Sequence, residues 1–321
     1  MNRKDIPMRN SMKLILAASM LCFGAMARGE DDAAHDQSKV PLEVDTKDPG
    51  LTKVVLIAGP RSHGPGAHEF FAGCALLMNM LKQTPGIYPV MCRDGWPKNP
   101  EIFNGAKTIV CYSDGGGGHP LLRDNHLDVI GGLMKKGVGL ALIHYAVEPT
   151  KEKGEKEFIE WVGGCFEVNW SVNPTWVADF TSIPDHPVAR GVKPFKINDE
   201  WYFNMRFADG MKGVTPLFFA IPPASTMSRK DGAHEGNPDV RKAVAEGKQQ
   251  DMAWAFDRAD GIGRGFGFTG AHYHSNWGEP NFRRLVVNAI LWTAHLDIPA
   301  GGAKCDLDPA DLNKNLDKKG K

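Results

Sequence analysis

The chain has 321 residues, and its 38 basic side chains are balanced by 38 acidic ones. This balance leaves no basic surplus of the kind that attracts nucleic acid, so a nucleic-acid partner is disfavoured. Apolar residues make up 42% of the chain, which is enough for a sizeable core in one large domain or two small ones.

The first 27 residues have the features of a secretory signal peptide. Basic residues lie among the first 13, and an apolar stretch that is too short to span a bilayer follows over residues 14–24. Ala25, Met26 and Ala27 then form a small-residue cleavage site before an acidic segment. We expect cleavage after Ala27, a periplasmic or secreted protein, and no stable membrane span after cleavage. An uncleaved anchor is the alternative.

From residue 51 onward, apolar strands alternate with amphipathic helices, after a polar lead-in at 28–50 that we expect to be flexible. The elements predicted for the first half are a strand at 53–59, a helix at 70–81, strands at 88–93 and 107–113, a helix at 124–136, a strand at 138–145 and a helix at 153–162. Nearly continuous apolar strands between helices indicate a parallel sheet with helices on both faces. The predicted fold class is therefore α/β.

The second half is less regular. The predicted elements are strands at 175–181 and 214–221, a polar insertion loop at 222–250, a strand pair within 251–274 that turns near Asp260 and Gly261, and a last helix that begins at Pro280. Residues 299–321 are polar and predict a flexible tail. One folded domain is therefore expected at 51–298.

Polar residues gather where the predicted parallel strands end. A histidine-bearing loop follows the first strand over 60–68, a glycine-rich loop runs from Asp114 to Pro120, and His144 closes the strand LALIH. Ligands of such sheets bind beyond the carboxyl ends of the strands, so these signals predict one site. The glycine-rich loop could hold an anion, but the chain has no G-x-G-x-x-G fingerprint, and NAD binding is disfavoured.

His144 has two interpretations. It is either a core histidine bonded to the backbone, or a general acid/base held at a strand-to-helix corner, where an imidazole titrates near neutral pH. Related folds use the same corner to present a nucleophile. The chain contains no G-x-S-x-G or G-x-C-x-G, so acyl transfer through serine or cysteine is disfavoured.

Two further groups could carry chemistry. His272 and His274 would share a face if their strand continues, and with His63, His144 or Glu200 they could bind a metal. Glu200 belongs to an acidic pair that is either solvated or orients a histidine. Five cysteines remain after the predicted cleavage, an odd number without C-x-x-C, so neither a disulfide framework nor a cysteine zinc site is indicated, and a single disulfide stays open.

Several segments in order resemble the ThuA-like (trehalose utilisation) family, which is similar in fold to the class I glutamine amidotransferases. They span about residues 53–296 and include GLALIHYAV, GGCF, HPVARG, FKINDEWY, GRGFGFTGAHYHSNW and the ILWTA of the last helix. The resemblance implies a flavodoxin-like domain in which histidine replaces the amidotransferase nucleophile, so that glutamine hydrolysis is lost. It also implies oxidised (3-keto) sugars as the substrate class and His144, Glu200 and His272 as polar site residues.

These inferences predict a secreted carbohydrate-processing enzyme that acts on keto-glycosides or disaccharides. His144 would be the acid/base, Glu200 would orient or assist it, and His272 would polarise the carbonyl. The residues expected to contact the sugar are His63, Asp114, Gly116, His119, His186, Trp201, His274 and Trp277. No cofactor is required, although a transition metal on His272 and His274 stays open. The alternatives are a non-catalytic sugar-binding or scaffold domain and a metal-dependent hydrolase.

Overall fold

The computed structural model describes residues 33–320. The predicted signal peptide and its cleavage site lie outside these residues. No helix in the part of the chain described is both long and apolar enough to cross a membrane.

The described chain forms a large sheet, two small sheets and the helices that cover them. The strands are β1 (Thr52–Ala58), β2 (Ile87–Cys92), β3 (Ala106–Tyr112), β4 (Gly139–Ile143), β5 (Gly164–Cys165), β6 (Thr175–Phe180), β7 (Phe195–Glu200), β8 (Arg206–Phe207), β9 (Val214–Ala220), β10 (Gln250–Asp257) and β11 (Arg264–Phe268). The α-helices are α1 (Phe70–Leu81), α2 (His126–Met134), α3 (Glu155–Val162), α4 (Pro238–Ala245) and α5 (Pro280–Thr293).

The large sheet has the strand order β2-β1-β3-β4-β11-β10-β9. Its first five strands pair in parallel, whereas β10 pairs antiparallel with both β11 and β9. The parallel part has the 2-1-3-4-5 order of doubly wound folds, with β11 in the fifth place. The predicted α/β class is confirmed, and an antiparallel edge completes the sheet.

The two faces of the sheet are covered because its strands are apolar on both sides. In β1, Val54 and Leu56 belong to a core cluster with α1 and α5, while Val55 and Ile57 belong to a second cluster with α2 and α3. A period of two along one strand thus supplies both layers. The strands and helices predicted for residues 53–162 are found within a few residues of their expected limits.

A small antiparallel sheet of β6 and β7 lies beside the large one. β6 agrees with the strand predicted at 175–181. β7 was not predicted as a strand, because only the acidic pair Asp199 and Glu200 stood out in this segment. In β7, Phe195, Ile197 and Asp199 alternate with more exposed residues, which is the period of a half-buried strand. The strand ends at Glu200, so it delivers this carboxylate to a fixed position.

Two polar segments have specific contacts. The 222–250 segment contains α4, which is capped by the Asn237 side chain and begins at Pro238. Near the carboxyl terminus, Lys319 forms a buried ion pair with Glu69 in the loop between β1 and α1, and the amide of Asp317 donates to the same carboxylate. The expected flexibility of 28–50 and 299–321 and the domain limits stay predictions.

Candidate active site

Loops from four neighbouring parallel strands meet at the carboxyl edge of the large sheet. The loop after β1 carries His68, the loop after β3 carries Asp114, His144 directly follows β4, and His272 follows β11. Glu200 reaches the same place from the end of β7. The edge is the one that the sequence predicts, and the α/β topology explains why residues so distant in the chain meet there.

His68, His144, His272 and Glu200 form what we call the histidine cluster. Nε2 of His144 lies 3.0 Å from Nε2 of His68 and 3.3 Å from Nδ1 of His272. Nε2 of His68 lies 3.1 Å from Nδ1 of His272. One carboxylate oxygen, Oε2 of Glu200, lies 3.2 Å from Nδ1 of His272 and 3.6 Å from Nε2 of His144. Four ligand-type atoms therefore converge on one point.

His144 occupies the strand-to-helix corner expected from the sequence. β4 ends at Ile143, a short 3-10 helix begins at His144, and the backbone of His144 is left-handed with φ of 58°. A left-handed conformation is uncommon for a residue with a side chain and is typical of functional corners. Nδ1 of this fully buried imidazole donates to the carbonyl oxygen of Thr269 at 2.8 Å, which leaves Nε2 facing the cluster.

His68 is oriented in a similar way by an acidic partner. Its Nδ1 donates to Oδ1 of Asp114 at 2.8 Å, and the hydroxyl of Ser62 donates to the same oxygen. Its Nε2 therefore faces the cluster as that of His144 does. The predicted site residue Asp114 thus contributes by fixing the ring of His68.

His272 is positioned through its backbone. The buried carboxylate of Asp199 accepts hydrogen bonds from the amides of Ala271 at 2.7 Å and His272 at 3.1 Å. It also accepts one from the amide of Glu200 at 2.9 Å. A single carboxylate therefore holds the turn after β11 against the end of β7, which brings His272 and Glu200 together.

Burial sets the protonation states of the cluster. Burial, with a contribution from His63, lowers the pKa of His68 to about 2. It also lowers the pKa of His144 well below its ordinary value. Burial would raise the pKa of Glu200, but the hydrogen bonds from His272 and Tyr202 and the neighbouring imidazoles outweigh it, and that pKa is lowered. Near neutral pH the two buried imidazoles are uncharged and the carboxylate is ionised.

A cleft of about 300 Å³ opens beside the cluster. Its lining residues are His63, His68, Tyr145, Asn173, Glu200, Tyr202, Arg229, Ala233, His234 and Glu235. Larger grooves exist elsewhere on the described surface, of about 900 and 590 Å³, but neither is lined by the histidine cluster. The cleft is therefore the place where a ligand can meet the cluster.

A second titratable pair stands at this cleft. Nε2 of His234 lies 3.0 Å from both carboxylate oxygens of Glu148, and its ring stacks on Phe166. The hydrogen bond to Glu148 raises the pKa of His234 although burial opposes it. Burial raises the pKa of Glu148, against the opposing effect of His234. The pair has a higher proton affinity than the buried imidazoles of the cluster.

The structure brings some of the predicted site residues together and separates others. His144, Glu200 and His272 belong to the cluster, Asp114 supports it, and His63 lines the cleft. Gly116 lies beside Glu148, but its amide donates to the carbonyl oxygen of Glu148 and so does not cradle an anion.

The remaining predicted residues serve the scaffold. His119 is buried and bonded to the backbone of Ala146 and Leu121, and His186 caps a short helix and contacts Trp292. Trp201 and Trp277 are fully buried in the apolar core and cannot stack on a sugar in this structure. The strand ends at Phe268, so His274 does not share a face with His272, and it lies buried outside the cluster.

Three residues at the site were not predicted. His68 could have been identified from the sequence, because it lies with His63 in the loop at 60–68 that follows the first strand. Glu148 follows His144 by four residues, within reach of the same corner. His234 lies in the polar 222–250 segment, and its contact with Glu148 spans 86 residues, so no local pattern could identify it.

Comparisons with known proteins agree with this architecture. The ThuA family model, described as trehalose utilisation, matches residues 98–293. The crystal structure of a protein described as ThuA-like from Bacteroides uniformis is similar with a TM-score of 0.56 and 16% sequence identity, covering 80% of this chain and 96% of that one. At this identity the likeness shows the fold alone. The comparison with curated proteins gives no match. Because the family model covers more than half of the chain, the chain belongs to the ThuA family.

Proposed function

We propose that the chain is a carbohydrate-processing enzyme that acts on keto-glycosides or keto-disaccharides in the cleft beside the histidine cluster. The observation that carries the proposal is the pairing of two unlike centres around one small cavity. The histidine cluster is poor in protons and the Glu148–His234 pair has raised pKa values. Groups whose pKa values are pushed apart by their surroundings are the usual mark of divided acid-base roles.

The size of the cleft favours a small sugar. A volume of about 300 Å³ is at the lower end of ligand sites, which suits one or two sugar rings better than a long glycan. Asn173, Arg229 and Tyr202 line the cleft and offer the hydrogen-bond donors that sugar oxygens accept. The family's description as trehalose utilisation supports the same substrate class.

The chemistry follows from the acidity that a ketone confers on the neighbouring C–H bond. We assign the ketone oxygen to the cluster side of the cleft, where the Tyr202 hydroxyl, which lines the cleft beside His144, can donate to it. Neutral His234 would remove the adjacent proton, and the electron pair would form a C=C bond as the glycosidic C–O bond breaks. The imidazolium, stabilised by Glu148, would then return its proton to the departing oxygen. The hydrogen bond to Glu148, which raises the pKa of His234, helps this imidazole to hold the proton until it is returned.

This assignment gives His144 a different role from the one expected of it. His144 is fully buried, and its Nδ1 is bonded to Thr269 while its Nε2 faces the other cluster atoms. A general base needs hydrogen-bond reach to a substrate proton, which the cleft-lining His234 has and the enclosed His144 lacks. We therefore assign His144 to the cluster behind the cleft and not to proton transfer with the substrate.

The test is incubation of the purified protein with 3-keto-glycosides and with the parent disaccharides, with products identified by NMR. We expect turnover of the keto sugars only. His234→Gln should lower kcat by about 10²- to 10⁴-fold, the usual contribution of a general acid/base. His186→Asn, which removes a histidine far from the cleft but can keep its helix cap, is the matched control. Binding without turnover would favour a sugar-binding domain, and equal hydrolysis of the parent sugars would refute the ketone-based reaction.

Secretion is a separate proposal that rests on residues 1–27. Intact-mass analysis of the protein exported from a bacterial host should give a chain that begins at Arg28. A full-length mass in the membrane fraction would support the anchor instead.

A further inference from the structure

We infer that the histidine cluster is a tetrahedral transition-metal site of the Zn²⁺ class. The ligand atoms are Nε2 of His68, Nε2 of His144, Nδ1 of His272 and Oε2 of Glu200, which all lie within 4.8 Å of one another. Binding of the ion follows from geometry alone, and only its part in turnover rests on the proposed function.

Five of the six spacings among the four atoms match a metal-centred tetrahedron. With Zn–N and Zn–O bonds of about 2.0–2.1 Å, ligand atoms of a regular tetrahedron are separated by about 1.63 bond lengths, or roughly 3.3–3.4 Å. Among the cluster atoms, the separations between nitrogens are 3.0, 3.1 and 3.3 Å. The two from Oε2 of Glu200 to a nitrogen are 3.2 and 3.6 Å. These five separations lie within about 0.4 Å of the ideal edge. The sixth, from Nε2 of His68 to Oε2 of Glu200, is longer but within 4.8 Å, so a bound ion would draw the Glu200 carboxylate toward His68.

The tautomers of two imidazoles direct lone pairs at this point. The partners of the Nδ1 atoms of His68 and His144 are a carboxylate oxygen of Asp114 and the carbonyl oxygen of Thr269. Both partners are acceptors, so the proton of each neutral ring lies on Nδ1 and the lone pair on Nε2. The two Nε2 atoms lie 3.0 Å apart, a separation that a cation bound by both lone pairs accounts for, and the Tyr202 hydroxyl also lies 3.2 Å from Nε2 of His144.

A shared proton accounts for this arrangement less well than an ion does. One proton can bridge one pair of atoms, whereas three nitrogens lie within 3.3 Å of one another and a carboxylate oxygen lies close to two of them. A central ion contacts all four atoms at once. Its charge also offsets the burial of Glu200 beside uncharged rings.

The surroundings have the features of a metal site's outer shell. The Asp114–His68 contact is the carboxylate–histidine pairing that orients metal-bound imidazoles and increases their basicity. Thr269 does the same for His144 through a backbone carbonyl. Three nitrogens and one carboxylate oxygen favour Zn²⁺ or a similar transition metal over Mg²⁺ or Ca²⁺, which prefer oxygen ligands.

The site is closed on one side and open on the other. The side chains of His68 and His144 are 1% and 0% exposed, whereas those of His272 and Glu200 are 14% and 19% exposed, and Glu200 lines the cleft. A sugar oxygen could therefore bind the ion beside the Glu200 carboxylate, or it could displace this carboxylate from the ion. An ion there would polarise a bound ketone as a Lewis acid.

The experiment measures metal binding without any sugar. The full-length protein is purified, freed of metal with a chelator, shown to be folded by circular dichroism, and titrated with Zn²⁺ and with Co²⁺. We expect one ion per chain, a rise in Tm on binding, and the strong visible absorption of four-coordinate Co²⁺. A folded protein that takes up neither ion at micromolar concentration would overturn the inference.

Variants test the ligand assignment. His272→Ala changes the most accessible histidine of the cluster and should abolish stoichiometric binding, whereas Asp114→Asn should weaken it by about 10- to 100-fold through the outer shell. His186→Asn also removes an imidazole but should bind as the wild type does. Equal affinity of His272→Ala and wild type would refute the assignment. Metal binding without keto-sugar turnover would leave the metal site standing and reject the proposed function, so the two failures are distinguishable.

Discussion

Replacing Asp199 with asparagine tests how the site is assembled, because this carboxylate fixes the position of His272 without touching the cleft. Its two oxygens accept from the backbone amides of Ala271, His272 and Glu200 at 2.7–3.1 Å. An asparagine of the same shape keeps one acceptor oxygen and turns the other into a donor. Whichever way the amide faces, at least one buried N–H group then loses its acceptor.

The magnitude follows from two opposing effects. A hydrogen bond to a charged group contributes about 1.5–3 kcal/mol, and an unsatisfied buried N–H costs a similar amount. Against this loss, burial raises the pKa of Asp199, which means that the charge itself is disfavoured inside the protein and that a neutral amide relieves part of this cost. We therefore expect Asp199→Asn to lower the free energy of unfolding by about 1–3 kcal/mol.

Urea unfolding followed by circular dichroism measures this loss, and Tm should fall by roughly 2–10 °C. The matched control is Asp179→Asn on the paired strand β6, where the carboxylate is exposed and bonded only to exposed Lys196. The control should stay within about 0.5 kcal/mol of wild type. Because His272 would be displaced, Asp199→Asn should also weaken Zn²⁺ binding. A variant as stable as the control, with unchanged metal affinity, would refute this account of the site.

Further predictions concern the periphery of the site and the core. Lys319 and Glu69 form an ion pair in which both side chains are almost fully buried, so Lys319→Met should lower the free energy of unfolding by about 3–5 kcal/mol in urea. Lys314→Met, which removes the exposed pair with Asp311, should have little effect, and equal losses for the two variants would contradict this prediction. The raised pKa of His234 means that its stabilising contribution is present below the ordinary value of 6.5 and lost as pH rises through the raised value. The stability difference between wild type and His234→Gln should therefore shrink as pH rises from 6.5 through the raised value, and a constant difference would refute the pairing with Glu148. The five described cysteines are buried and free, and burial raises the pKa of Cys92 and Cys111 to about 12, so thiol reagent should label these five only after unfolding. Labelling in the native state would show that the core opens locally.

The sequence predicts the scaffold well because local patterns determine it. The apolar runs of β1, β3 and β4 and the helical spacing of α1 identify their elements almost to the residue. The edge that bears the site also follows, since parallel strands all end at the same side of the sheet. Within the site, the position of His144 at the end of β4 follows from the sequence because one residue at a strand end is a local feature, while its role stays a prediction.

The prediction fails where the decisive contact is long-range. Trp201 and Trp277 were expected at a sugar-facing surface, but the same side chains fill the core between β11 and the last helix. Indole rings serve either purpose, and the surrounding sequence does not distinguish them. His234 was missed for the opposite reason, because a polar segment gives no sign that it returns to the cleft. Its partner Glu148 is 86 residues away.

The corner after β4 shows how this fold can change its chemistry without changing its shape. A nucleophile at this corner must project into the cleft, yet His144 is fully enclosed and bonded through Nδ1 to Thr269. Its Nε2 faces two other imidazoles at 3.0 and 3.3 Å, and an approaching substrate atom would meet cleft-lining residues such as Glu200 before it. The left-handed backbone of His144 turns its Nε2 toward the cluster, where we propose that it binds the metal ion. Reactivity must then reside in what the cluster binds and in the proton-transferring groups across the cleft. His144→Ala should therefore abolish both metal binding and turnover, whereas His234→Gln should lower kcat by about 10²- to 10⁴-fold and leave metal binding intact.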